Sequence, residues 1–270
     1  MVSAGSRLAL MTYTRITYEI RDDVAVLRLN DPASLNAASL AMAEELLQAV
    51  DRAQHESRAL LIGSVGRAFC SGANLTAGGV DLDDPQRDLG APLETHFNPL
   101  MLSLRNSNIP IVTAVRGAAA GVGASIALCA DIIVAADSAY FYQAFCHLGL
   151  VPDGGAAYLL SRAVGRVRAM EMMLLGEKLP AAKALEWGLV TRVVPDAELD
   201  ASALKIAAQL ARGPRSMGLI RQLAGAALDL DLGRELALER EQQCIAGRTA
   251  DFVEGVSAFR EKRLAKFKGA

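Results

Sequence analysis

Two short stretches of small residues stand where backbone groups could meet a ligand. The first, Phe69-Cys70-Ser71-Gly72-Ala73-Asn74-Leu75, follows the apolar run ALLIGS; the second, GAAAGVGAS, follows PIVTAV. Where side chains are this small, main-chain N–H groups can approach a bound oxygen, and two such loops can converge on one carbonyl as it becomes an enolate. Close packing of a helix on a strand would need the same small residues, and both readings stand at this level. A dinucleotide fingerprint does not fit, because Gly121 and Gly123 lack the third glycine at position 126, which is Ile126.

The titratable candidates are few. Asp153 lies in GLVPDGGAA, on a turn stiffened by Pro152 and flanked by Leu150 and Val151. Apolar neighbours would raise its pKa toward a working pH, although Pro-Asp-Gly is also an ordinary turn composition. His96, in ETHFNPL, could face a ligand or simply pack; His147 is a second such candidate, and His55 ends a charged helix. Ser125 follows the second glycine loop but lies in no G-x-S-x-G elbow, which disfavours a hydrolase triad. The cysteines Cys70, Cys129, Cys146 and Cys244 form no C-x-x-C pair, so neither a structural metal site nor a disulfide framework is expected.

The elements around these residues follow from periodicity. ITYEIRDDVAVLRLN reads as a hairpin turned at Arg21-Asp22-Asp23, and Ala38 to His55 as a helix capped by Ser39. ALLIGS, PIVTAV and DIIVAA read as buried strands, with GAAAGVGASIALCA as a tightly packed helix between the last two. Repeated β-β-α units describe this order. Beyond Asp200 only helical patterns remain. Residues 76 to 92 are rich in Gly, Pro and Asp and form a loop that either covers the site or stands apart from it.

Composition narrows the class. The 270 residues are 52% hydrophobic, which calls for a large buried core. With 28 basic and 30 acidic residues the formal charge is −2, so no global positive field draws nucleic acid or an anionic membrane. No window reaches the roughly 18 uninterrupted apolar residues of a membrane span. The opening MVSAGSRLALM is too short in apolar run for a signal peptide, and residues 1–13 read as a disordered leader. A cytoplasmic protein is the expectation.

Several ordered motifs together resemble the crotonase (enoyl-CoA hydratase/isomerase) superfamily over about residues 14 to 268. They are SLNA, AFCSGANL, PIVTAVRGAAAGVGASIALCADIIVAADSAYF, GLVPDGGAAYLLSRAVGRVRAMEMMLLGEKLPAAKALEWGLVTRVVP and EGVSAFREKRLAKF. The resemblance implies an α/β fold, a spiral of ββα units over residues 14–199, and a C-terminal helical trimerisation region over 200–270. It implies an acyl-CoA thioester as substrate, no cofactor besides that coenzyme A, no metal, no nucleic acid or membrane partner, and a homotrimer or dimer of trimers.

By the same resemblance the oxyanion donors are the N–H groups of Ala73 and Val122, the latter where the family commonly has glycine. Coenzyme A falls to Ser34, Leu35, Ser71, Asn74, Leu75, Phe259 and Lys262, with Asn74 replacing the usual aspartate. The basic tail REKRLAKFK suits phosphates, or is a solvated helix end. The two glutamates of the family's hydratases align with Ser125 and Phe145, neither of which titrates near neutrality. That leaves Asp153, where isomerases and related members of the family place an acidic residue, as the acid/base, with Ser125, Phe145 and His96 lining the acyl pocket; the surrounding AFCHLGLVPDGG most resembles the isomerases of bacterial phenylacetyl-CoA degradation. The expected reaction is a double-bond shift in an acyl-CoA, with a ring-derived acyl group as one reading. The alternatives are a hydratase with non-standard residues, a dehalogenase using Asp153 as nucleophile, and a non-catalytic CoA-binding homologue.

Overall fold

The computed structural model describes residues 12–74 and 81–270. Its first strands, β1 (Ile16–Arg21) and β2 (Val24–Leu29), form the expected antiparallel hairpin. Asp22 and Asp23 both take positive φ, 48° and 64°, the pattern of a two-residue primed turn. Helix α1 (Leu40–Glu56) follows, its first turn capped by the Ser39 hydroxyl, which accepts from the Met42 N–H. Met42, Ala43, Leu46, Ala49, Val50 and Ala53 form its buried stripe. Thr14 and Tyr13 are already engaged, Thr14 with the Glu45 carboxylate and Tyr13 with the core, while residues 1–11 of the expected leader lie outside the described residues.

Strands β3 (Ala59–Ser64) and β4 (Ile111–Val115) continue the sheet in parallel, and a single π turn, Leu93–Phe97, leads into α2 (Asn98–Arg105) between them. Part of the loop expected over 76 to 92 falls outside the described residues; positions 81–91 are exposed. β4 is followed by β5 (Ala118–Ala120), α3 (Val122–Leu128), β6 (Ile132–Ala136) and β7 (Tyr140–Tyr142). The expectation of one helix over GAAAGVGASIALCA is therefore corrected: its first three alanines form a strand and the helix starts at Val122. Then come α4 (Ala156–Leu175), broken at Gly165, β8 (Leu179–Pro180), α5 (Ala181–Glu186) and β9 (Arg192–Val194). Helices α6 (Leu199–Ala211), α7 (Ser216–Ala226), α8 (Leu232–Ala246) and α9 (Ala250–Glu261) end the chain.

The strands make two sheets, one in the order β1-β2-β3-β4-β6-β9 and a small one, β5-β7-β8. Alternation along the large sheet divides its core. Leu60 and Ile62 face α1 in one apolar cluster, whereas Ala59 and Leu61 face Leu199, Ala203, Ile206 and Ala207 of α6 in the other. Helix α6 thus covers a whole face of the sheet, so a division at residue 200 separates that helix from the strands it packs on. Among the described residues no helix is long and apolar enough to cross a membrane.

Candidate active site

The two glycine-containing loops are stitched together by β pairing. After β3 the chain runs beside β5: Phe69 N–H donates to Arg116 O at 2.7 Å, Cys70 N–H to Ala118 O at 2.9 Å, and Ala120 N–H to Cys70 O at 2.9 Å. Asn36, fully buried, secures the same loop, giving its amide hydrogens to the carbonyls of Val65 and Ala68 while its oxygen accepts from Asp31 N–H. Ala73 then forms a parallel bridge with Ala38, through Ala38 N–H to Gly72 O at 2.8 Å and Asn74 N–H to Ala38 O at 3.0 Å. In a parallel bridge those bonds flank Ala73, so its own N–H points to the other side. It meets no acceptor among the described residues.

On that other side stands the start of α3. Gly121 donates to Tyr142 O at 2.9 Å and turns the chain with φ of 50° and ψ of −128°, a conformation that glycine alone adopts readily. A Cβ on Gly121 would lie 3.7 Å from Gly72 Cα, which places the two loops side by side. Val122 opens the helix, so its N–H has no acceptor one turn back. Its helical conformation is open to any residue, so a valine is accommodated there. Gly123 has a different reason: a Cβ there would stand 2.5 Å from that of Cys70. Both readings of the small residues hold, at different positions.

Asp153 sits on the turn before α4, with its main-chain carbonyl accepting from Ala156 N–H at 3.0 Å and from the Ser125 hydroxyl at 3.3 Å. The next residue, Gly154, presses on α3, since a Cβ there would lie 3.1 Å from both Val122 Cγ2 and Ser125 Cβ. The Asp153 Oδ1 atom is buried without a hydrogen-bond partner, and this burial pushes the carboxyl up to about 6. No neighbouring charge contributes to that shift. Ser125 is fully buried, and the Phe145 ring reaches the place a Gly121 Cβ would occupy, 3.4 Å away. Asp153, Ser125, Phe145, Val122 and Ala73 are therefore gathered around the first turn of α3.

Of the residues assigned to coenzyme A, Ser34, Leu35 and Ser71 are joined: Ser71 N–H donates to Leu35 O at 3.1 Å and its hydroxyl to Ser34 O at 3.2 Å. Asn74 continues the same loop, and Leu75 lies outside the described residues. Phe259 and Lys262 are not brought to them. The tail after α9 docks at Arg58, which donates to Phe267 O at 3.2 Å and precedes β3, whereas Ser71 follows the far end of that strand. Six strand residues put about 20 Å between those ends.

His96 is held by Glu44 at 3.0 Å and by the Thr95 hydroxyl at 2.7 Å, so both ring nitrogens are occupied. His147 bonds Gly176 O at 3.0 Å, and His55 lies in solvent. A separate cavity of about 560 Å³, walled by Met101, Leu128, Tyr158, Leu159 and Leu228, adjoins Gly154, but Ala73, Val122 and Asp153 do not line it. Among the described residues no three His, Cys, Asp or Glu side chains cluster as metal ligands. Sequence reasoning passed over Gln143, which is fully buried just after β7. Its signal was a polar residue in the apolar alternation Phe141, Gln143, Phe145.

This arrangement has relatives. The family model for enoyl-CoA hydratase/isomerase matches residues 19–270. The chain is 42% identical over 257 residues to the 1,2-epoxyphenylacetyl-CoA isomerase of Escherichia coli, covering 94% of this chain and 98% of that protein. It is also 42% identical over 260 residues to a probable enoyl-CoA hydratase of Rhodobacter capsulatus, covering 96% of this chain and all of that one. A solved structure of a putative enoyl-CoA hydratase from Streptomyces coelicolor superposes with a TM-score of 0.90 at 31% identity, covering 100% of both chains. A putative enoyl-CoA hydratase/isomerase from Mycobacterium abscessus gives 0.89 at 32%, over 94% of this chain and 100% of that one. The chain has the crotonase fold and belongs to the enoyl-CoA hydratase/isomerase family.

Proposed function

We propose that the protein is an acyl-CoA isomerase that moves a double bond by carrying one proton on Asp153. The observation that carries this reading is the buried, unpartnered Oδ1 of Asp153 beside the unbonded N–H groups of Ala73 and Val122. The Asp153 carboxylate takes a proton from the carbon next to the thioester carbonyl, and the electron pair moves onto the carbonyl oxygen. There the two N–H groups stabilise the enolate, an arrangement in which one donor is worth about 2.7–4 kcal/mol. When the enolate collapses, the double bond moves one position and the third carbon along takes the same proton back from Asp153. A carboxyl near pKa 6 is ionised at neutral pH yet basic enough to accept a proton.

The isomerase relative supports a ring-derived acyl group, since its name gives 1,2-epoxyphenylacetyl-CoA as the substrate. A hydratase reading keeps the support of the equally similar probable hydratase, but it lacks two titrating side chains, because Ser125 and Phe145 occupy those places. Ser34, Leu35, Ser71 and Asn74 would hold the coenzyme A of the substrate, and no other cofactor is needed. Phe259 and Lys262 would reach it only from another copy, in a homotrimer or dimer of trimers. Exposed Leu232, Leu236, Phe252 and Val253 on α8 and α9 suit such contacts. The four unpaired cysteines fit a cytoplasmic setting.

The test is turnover of a 3-enoyl-CoA to its conjugated 2-enoyl isomer. Asp153→Asn should abolish it while CoA thioester affinity survives, and an unchanged rate would sink the proposal. Rapid loss of conjugated absorbance from crotonyl-CoA would favour hydration instead.

A further inference from the structure

The turn that carries Asp153 is packed on one side only. There Gly154 presses on Val122 and Ser125 of α3, and the Ser125 hydroxyl donates to the Asp153 carbonyl. On another side Gly154, Gly155 and Tyr158 line the cavity of about 560 Å³. Atoms that face a void lack packing partners there, so packing alone does not hold the turn against movement into that space.

The chain itself adds little stiffness. Gly154 and Gly155 take positive φ, 56° and 75°, and Gly165 breaks α4 with φ of 78° and ψ of 158°. Residues 156–164 are therefore a short helical segment between glycines, anchored on one face by buried Ala156 and Leu160.

A second anchor stands at the cavity wall. Asp229, just beyond α7, accepts from the Tyr158 hydroxyl at 2.6 Å and from Arg162 at 2.8 Å, both on that segment. It also accepts from Arg105, at the end of α2, at 2.6 Å. The Arg105 and Arg162 guanidinium groups lie against the Tyr158 ring, 4.7 Å and 3.5 Å from its centroid. An isolated surface ion pair holds little, but here one carboxylate takes three short bonds from two helices. The Tyr158 bond, followed by the two arginines, holds the Asp229 carboxyl below the usual carboxylate range, so the clamp stays ionised at neutral pH.

Resting on the isomerase reading above, we infer that Asp229 is a positioning residue, which clamps the first half of α4 beside the cavity and so keeps the Asp153 carboxyl in its buried, unpartnered place. It acts through Tyr158 and Arg162, since no charge, its own included, contributes to the environment that shifts Asp153.

The experiment compares the full-length protein with Asp229→Ala by isotope-edited NMR titration of the aspartate carboxyls, the Asp153 signal being the one missing from Asp153→Asn. Burial alone raises that carboxyl to about 6, so a segment freed to move admits water, and the midpoint should fall toward the ordinary carboxyl value. In the enoyl-CoA assay kcat should drop about 10- to 100-fold with KM changed less than about threefold. Asp229→Glu, which keeps a carboxylate at this partly exposed position, should restore both readings. Should Asp229→Ala fail to fold, Tyr158→Phe removes only the hydroxyl bond and should move both readings the same way by less. A midpoint equal to that of the native protein in these variants, or a loss confined to KM, would overturn the inference. Full turnover by Asp153→Asn would sink the isomerase reading by itself, while the NMR midpoint would still decide whether Asp229 places the carboxyl.

Discussion

The hydroxyl of Ser125 donates to the main-chain carbonyl of Asp153 at 3.3 Å, tying α3 to the turn that carries the carboxylate. Ser125, read from the resemblance as standing at a hydratase glutamate position, thus steadies the peptide of the proposed acid/base. Its role is positional, so Ser125→Ala should lower kcat/KM by only about 2- to 10-fold, the loss of one modest hydrogen bond. The pH profile should keep its shape. Complete inactivity of Ser125→Ala in the same assay would mean that the hydroxyl handles the proton or a water itself.

Asp153 sets the pH behaviour. Its carboxyl must be ionised to accept a proton, so kcat/KM should rise with pH and level off above about 6. Stability runs the other way. Well below the ordinary value of 3.8 the group is neutral in folded and unfolded chains alike; as pH climbs toward 6 the unfolded chain ionises first, and the folded state loses stability until the folded carboxyl has also ionised. The shift corresponds to at most about 3 kcal/mol, and partial solvent access reduces it to the order of 1–2 kcal/mol. Asp153→Asn should therefore be more stable than the native protein at pH 7.5 and no more stable at about pH 3, well below the ordinary carboxyl value, as urea denaturation at both values would show. The same variant should lose about 10²- to 10⁴-fold in isomerisation rate.

Gly123 admits no side chain. Its Cβ would fall 2.5 Å from the Cys70 Cβ and 2.9 Å from the Cys70 carbonyl oxygen, both of which belong to the segment that carries Ala73. Gly123→Ala should cost about 1–3 kcal/mol of stability and, by pushing the two loops apart, lower kcat more than it raises KM. A thermal melt with steady-state kinetics checks both. A variant of native stability and rate would show that the loops tolerate separation.

His96 should be dispensable for the chemistry. Its ring nitrogens are engaged by Glu44 and the Thr95 hydroxyl, and nothing places it against Asp153. His96→Ala should change kcat/KM less than about threefold, and a loss beyond about 100-fold would assign it a part in proton transfer.

Much of the frame could be read in advance because its signals are local. The Asp22-Asp23 turn, the Ser39 cap and the strand ALLIGS each follow from residues within a few positions. Strand β5 could not be read this way. Ala118, Ala119 and Ala120 have little strand preference of their own, and are extended because Cys70 on one side and Tyr140 to Tyr142 on the other supply the hydrogen bonds. The site divides similarly. Asp153 and the glycine loops stood out by residue type, while the unpaired state of Gln143 depends on what fails to surround it, which is a tertiary fact. The separation of Phe259 from Ser71 likewise depends on where the tail after α9 docks, at Arg58, and no local pattern encodes that.

The pairing of the Cys70 segment with β5 also bears on how the molecule acquires its activity. Ala73 and Val122 lie on loops far apart in the chain, each held only after β3, β4, β5 and β7 have assembled. Long-range contacts of this kind form late in folding, because loop closure precedes any gain from the contact. Capture of a CoA thioester during refolding should accordingly lag behind the appearance of helical signal, making ligand binding a clock for the last step of assembly.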